Sequence, residues 1–272
     1  MTKDEIVHIA ENLFEEAVSA KSYLQIIEQF RENVDKYNEE MNYSTAFYNV
    51  IYNSLVESLF LKLFKLYDRD AKSSTIHSVF NEMKKIDENE LDDCVLKKYI
   101  ENGNKFTHPL NLEEEVYFTE EVNQVKNLCN NAGVKYTHTT IDINLHELVN
   151  LYAKRFRTLK KANENLVQRR NKIGAHNDAK TNFDYKKINE EFPLSDNEID
   201  KLVEFAIEFL QFCVEVLTGV HKIPEYLNIN DWGITLNLVR DGMNYRETSK
   251  KNNKHDSILH KIVSKFNKLV CR

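Results

Sequence analysis

Residues that turn a chain sharply are scarce here: 6 Gly and 3 Pro stand among 272 residues. A fold built from strands needs a tight turn about every ten residues, usually with Gly, Pro or Asn at its corner. Apolar residues instead recur at spacings of three and four through most of the sequence, the period of a helix buried on one side. Together these features predict an all-α fold. The apolar share of 42% is enough for a sizeable core in one large domain or two small ones.

The periodicity predicts helices over 3–18 and 20–40, then a long one over 44–68 that Ser44 or Thr45 can cap. Shorter helices follow near 75–86, after Ser73-Ser-Thr75, and near 89–102 and 112–131. The next long helix runs from Asn144 to Ile173. Ser195-Asp-Asn-Glu198 reads as a capping box opening a helix to Leu217, stopped by Gly219 and Pro224. At a rise of about 1.5 Å per residue, the helices over 44–68, 144–173 and 196–218 are long enough for an antiparallel bundle. The expected organisation is a single all-α domain, one compact unit made of an N-terminal helical elaboration (1–41), a bundle (42–222) and a basic helical extension (223–272). Trp232 is expected to anchor that extension to the bundle.

Several function classes are excluded. Cys94, Cys129, Cys213 and Cys271 are scattered without a CxxC, so neither a disulfide framework nor a zinc knuckle is expected. His138 and His146 have no partner set for a metal, and no cofactor is implied. No phosphate loop, nucleophile elbow or zinc-protease helix is written in the chain. The opening MTKDEIVHIAENLFEE is acidic and amphipathic, unlike a signal peptide. The most apolar segment, Phe47 to Tyr67, is interrupted by Glu57, Lys62 and Lys65, so it reads as a core helix and not a span. A cytoplasmic protein without membrane attachment is expected.

The formal net charge of −6 conceals a strong asymmetry. Residues 1–120 hold 13 basic against 24 acidic side chains. Residues 154–172 hold eight basic side chains against Glu164 alone, and the last 33 residues hold nine basic against three acidic. A basic stripe on an acidic protein suits a polyanion. The acidic run Asp87 to Asp93 and Glu113-Glu-Glu115 read as solvated helix starts.

On a helical wheel over 144–173, Leu145, Leu148, Val149, Tyr152, Phe156, Leu159, Leu166 and Val167 form an apolar stripe about 100° wide. Arg170 falls near its middle, in line with Asn163, while Arg169 falls on the flank. A guanidinium inside an apolar stripe must be paired or face a polar cleft. His176 stands six residues beyond Arg170. The two side chains converge if Gly174 takes a left-handed conformation and turns the chain. On an unbroken helix it is Arg169, seven residues away, that shares a face with His176.

Arg and His without a metal or a Ser/Cys nucleophile suit RNA cleavage, because RNA supplies its own nucleophile in the 2′-hydroxyl. His exchanges protons near neutrality, and Arg orients a phosphate and stabilises its developing charge. The bland alternatives are a solvated Arg170 and a His176 set against the last helical carbonyls.

The string Arg170-Asn171-x4-His176 resembles the signature of the HEPN superfamily, an Arg with a polar companion followed a few residues on by His. RNKIGAHND resembles the abortive-infection AbiU-like branch. LFLKLFKLYDRDAKSSTIHSVF, residues 59–80, resembles it too, with a helix ending in Tyr-Asp and a Ser/Thr-rich loop opening the next. The resemblance is read over about residues 40–222 and leaves the N-terminal helices and basic tail unaccounted for.

It implies a helical bundle of HEPN type that forms a homodimer with a shared active-site cleft. It further implies metal-independent endoribonuclease activity in phage defence or a toxin–antitoxin system, with RNA as substrate and an antitoxin or defence-system protein as partner. Carried over, Arg170 binds and polarises the phosphate, His176 is the general acid or base, and Asn171 supports both. Arg169, Lys172, Lys161 and Arg157 would hold the RNA. The Asn that follows Arg170 favours it over Arg169. Asp178 stands where some toxins of the family carry a modified Tyr, which excludes tyrosine adenylylation at that position. The alternatives are a non-catalytic module binding RNA or protein, and a helical adaptor whose Arg–His pair is structural.

Overall fold

The computed structural model describes residues 1–69, 73–87, 127, 130–133, 145–175, 185–220, 222–224, 229 and 231–249. The elements are α1 (Lys3–Asn33), α2 (Asn38–Tyr43), α3 (Thr45–Tyr67), α4 (Ile76–Met83), α5 (Leu145–Thr158), α6 (Lys160–Ala175), α7 (Tyr185–Glu191) and α8 (Asp196–Thr218). A last helix, α9, covers 232–249. Among the described residues there is no strand, and the fold is all-α, a helical bundle consistent with the HEPN type. The helices expected over 89–102 and 112–131 lie outside the described residues, apart from a few positions near 130.

The chain divides into two compact units, neither of them a single continuous stretch. Unit 1 comprises Met1–Leu24 and Leu55–Tyr226; unit 2 comprises Gln25–Ser54 and Leu227–Arg272. The sequence reading instead places boundaries after 41 and 222.

In place of two helices over 3–18 and 20–40 there is one of 31 residues, α1. Ser19 and Ser22 bond back within the helix: Ser19 Oγ donates to the Glu15 carbonyl at 2.9 Å, and Ser22 Oγ to the Val18 carbonyl at 2.9 Å. A hydroxyl bonded back to the preceding turn caps nothing. Ile6, Ala10, Leu13, Phe14, Ala17 and Leu24 are all buried, so the three–four spacing forms a continuous core-facing stripe through unit 1. Glu16 on α1 pairs with Lys62 and Lys65 of α3. Burial alone pushes the Glu16 carboxyl up, but the two ammonium groups outweigh it and hold the pKa below the ordinary value.

Helix α3 matches the expected span closely, yet it is a core helix only at its C-terminal end. Leu59, Leu63, Leu66 and Tyr67 are buried, whereas no residue from 43 to 58 is.

Unit 1 is centred on α8, which packs against α4 and α6, while α5 packs on α4 and α6. Its start is the expected capping box: Ser195 N donates to Glu198 Oε2 at 2.8 Å, and Glu198 N donates to Ser195 Oγ at 3.3 Å. Gly219 ends it in the left-handed region at φ 72°, giving its N–H to the Glu215 carbonyl at 2.8 Å. A side chain at that φ would be strained, which is why glycine stands there. Thr75 caps α4 in the same reciprocal manner with Ser78. Between these caps lies an aromatic core, with Phe80 stacked on Phe209 at 3.9 Å between centroids and Phe156 on Phe205 at 5.1 Å. Tyr67, fully buried, donates its hydroxyl to the Leu202 carbonyl at 2.5 Å.

Unit 2 holds the last turns of α1, all of α2, the first half of α3, and α9. Trp232, at the start of α9, stacks on Phe30 at 5.0 Å and donates its indole N–H to Gln29 Oε1. Further along α9, Arg240 pairs with the buried Glu40 and lies 4.8 Å from the Tyr37 ring centroid. Trp232 thus fastens α9 onto α1, whereas the sequence reading places its anchorage on the bundle over 42–222.

Candidate functional site

The helix expected to run unbroken from Asn144 to Ile173 divides at Leu159. There the Leu159 N–H reaches the Phe156 carbonyl, three residues back, at 3.1 Å, a tightened turn. The buried side of α5 already includes Leu151 and Arg155, and Arg169, eighteen residues after Leu151, falls in line with it at about 100° per residue. The interior face of α6 is Ala162, Asn163, Asn165, Leu166 and Arg169.

This reverses the expected standing of the two arginines. Arg169, expected on the flank, is 8% exposed. Its Nε donates to the Phe192 carbonyl at 2.6 Å, and its guanidinium lies 5.5 Å from the Phe60 ring centroid. Burial pushes its pKa down, with Glu198 opposing. A phosphate would have to displace that carbonyl and uncover Phe60 to reach it. Arg170, expected mid-stripe, has a side chain 32% exposed. Asn163 is buried as the wheel indicated, and its Oδ1 has no hydrogen-bond partner among the described residues.

The Arg170 guanidinium is held by two oxygens. Nε and Nη2 donate to Asn171 Oδ1 at 3.3 and 3.1 Å, and Nη1 pairs with the carboxylate of Asp68. Asp68 directly follows the last residue of α3. The pair therefore ties the 59–80 segment to the Arg-Asn motif, two stretches far apart in the chain that resemble the same branch. Sequence reasoning quoted the Tyr67-Asp68 dipeptide and gave Asp68 no role.

Helix α6 continues through Gly174 to Ala175, so no left-handed turn occurs at Gly174, and the convergence of Arg170 and His176 by that route is not what the backbone does up to residue 175. His176 and Asp178 lie outside the described residues. His77, on α4, sits edge-on to Phe156 at 5.1 Å, its Nε2 buried and without a hydrogen-bond partner among the described residues. Burial and the nearby Arg69 lower its pKa, favouring the neutral ring.

The basic stripe is not one solvated face. Arg155 is buried and pairs with Glu208 of α8; burial lowers its pKa, but the carboxylate outweighs this and raises it. Arg157, Lys161, Asn171 and Lys172 are exposed. Lys161 and Lys172, eleven residues apart, share a side of α6 to within about 20°, and Arg170 stands roughly 160–180° from both. The structure thus brings together Arg170, Asn171 and Asp68, and sets the two lysines on the other side of the helix. Among the described residues no three His, Cys, Asp or Glu side chains stand together to hold a metal. No helix of those residues is long and apolar enough to cross a membrane.

No curated protein and no solved structure matches the chain. A protein-family model does: AbiU2, a HEPN-type family, matches residues 3–112. The match starts near the beginning of α1 and stops before the Arg170 motif, so it covers N-terminal helices that the resemblance read over about 40–222 had left aside. Asp68 lies within it and Arg170 outside it. Over residues 3–112 the chain is similar to the AbiU2 family, the branch that the sequence resemblance names.

Proposed function

We propose that the protein is a metal-independent endoribonuclease of HEPN type, acting in phage defence or as the toxin of a toxin–antitoxin pair. One observation carries the reading: Arg170 is a partly exposed guanidinium held by Asn171 and Asp68, with N–H donors to spare. Such a group binds a phosphodiester and neutralises the charge gathering on it as the 2′-hydroxyl attacks. His176 is assigned the proton transfers, as general base toward the 2′-hydroxyl or general acid toward the leaving 5′-oxygen. The AbiU2 match supports the class of protein. The test is to incubate the pure protein with end-labelled RNA in excess EDTA, alongside His176→Ala. Cleavage by the wild type and its loss in the variant are expected; undiminished cleavage by His176→Ala would end the assignment of that residue.

The reading includes a homodimer. Residues 43–56 carry no charged side chain in a chain that is 29% charged, and none of them is buried. Tyr43 is 61% exposed, Phe47 60% and Val50 66%. Interface cores are depleted of charge and enriched in Tyr and Phe, and two acidic chains meet with least repulsion on an uncharged surface. Phe47→Glu is expected to shift the protein from dimer to monomer in sedimentation analysis. A wild type that is monomeric at every concentration would remove the dimer from the proposal.

A second reading has its own support. The exposed Lys161 and Lys172 face away from Arg170, a surface that can hold a polyanion without engaging the motif. Retention of RNA by a wild type that never cuts it would make the chain a binding module.

A further inference from the structure

A guanidinium carries five N–H donors. In Arg170, Nε–H and one Nη2–H are taken by Asn171 Oδ1, and Nη1 is ion-paired with the Asp68 carboxylate. With one Nη1–H counted to that carboxylate, two donors remain, one on each terminal nitrogen, the number a phosphate accepts as a two-pronged fork. Little stability is gained from an ion pair this open to solvent, whose side chains are 32% and 22% exposed. Nor does a carboxylate improve phosphate affinity, since it repels the anion. What Asp68 does supply is direction. Asn171 alone accepts from one edge of the guanidinium and leaves it free to swing about that oxygen; a second acceptor at Nη1 fixes the plane.

We propose that Asp68 is a positioning residue which, with Asn171, aims the two remaining donors of Arg170 at the scissile phosphate. The inference rests on the ribonuclease reading for its substrate. It also explains why the Tyr67-Asp68 end of α3, inside the AbiU2 match, meets an Arg-Asn pair outside it.

The experiment is steady-state cleavage of labelled RNA by the full chain carrying Asp68→Ala, Asp68→Asn, Arg170→Ala, or Asp68→Ala with Arg170→Ala, with unfolding temperatures measured on each. Asp68→Ala is expected to lower kcat by about 10–100-fold, the usual effect of a displaced catalytic group, with KM unchanged or lower because an anion has left the site. Asp68→Asn keeps one acceptor oxygen and should fall between. In the Arg170→Ala background, Asp68→Ala should have no further effect, since the guanidinium it positions is gone. A purely structural role would instead lower the unfolding temperature and cost the same in both backgrounds. Either that result, or a wild-type kcat for Asp68→Ala, overturns the proposal. Should the wild type cut no RNA, the ribonuclease reading falls and binding of an uncleavable 2′-deoxy oligonucleotide decides the positioning claim. Tighter binding by Asp68→Ala that vanishes without Arg170 supports it; unchanged binding overturns it.

Discussion

Arg170→Ala should slow RNA cleavage by about 10²–10³-fold, the scale seen when one donor to a developing oxyanion is removed, while the protein unfolds at the wild-type temperature. Its neighbour should behave in the opposite way. Arg169→Ala strips a buried side chain from beneath Phe60 and leaves the Phe192 carbonyl without its donor, at a cost of about 2–3 kcal/mol in stability. Arg169→Met keeps most of the buried stem and removes a charge that burial already disfavours, so it should cost less and leave cleavage near the wild-type rate. Thermal unfolding and cleavage rates measured on the same three preparations check both halves. If Arg169→Met is folded and inactive, the phosphate-binding arginine is Arg169, and the Arg170 assignment is wrong.

Phe209→Ala should destabilise unit 1 by about 3–5 kcal/mol, the range for deleting a fully buried aromatic ring. Phe209 is 0% exposed, stacks on Phe80 at 3.9 Å, and lies 6.0 Å from Phe205 and 5.4 Å from Tyr152. Its removal therefore opens a cavity where α4, α5 and α8 meet, and three rings lose a partner that only an aromatic group of that shape replaces. Phe209→Leu, which fills much of the volume, should cost appreciably less. Chemical denaturation reads the difference; a loss below about 1 kcal/mol for Phe209→Ala would mean that the ring core is not what holds the unit together.

Both predictions depend on facts with different origins. Phe209 as a core residue was legible from the three–four spacing of the helix opened by Ser195. The order of the two arginines was not. Arg169 and Arg170 are about 100° apart on any helix, so which one enters the core depends on the side that other segments cover, and the covered side is that of Leu151 and Arg155. A stripe centred on Tyr152 and Phe156 does not announce that side. In contrast, the opposition of Lys161 and Lys172 to Arg170 was written in their spacing within one helix. The charge count over 154–172 obscured it by treating a stripe in sequence as a face in space.

The sequence by itself determined what depends on residues within a turn or so of each other. These are the all-α fold, the capping box at Ser195 and the stop at Gly219. Such contacts form wherever the helix forms. The tertiary structure alone decided that α1 runs through Ser19, that half of α3 stays uncovered, that Arg169 is buried, and that Asp68 meets Arg170. Each of these turns on which distant segment arrives at a given side chain, and packing many small contacts at once settles that, not local preference.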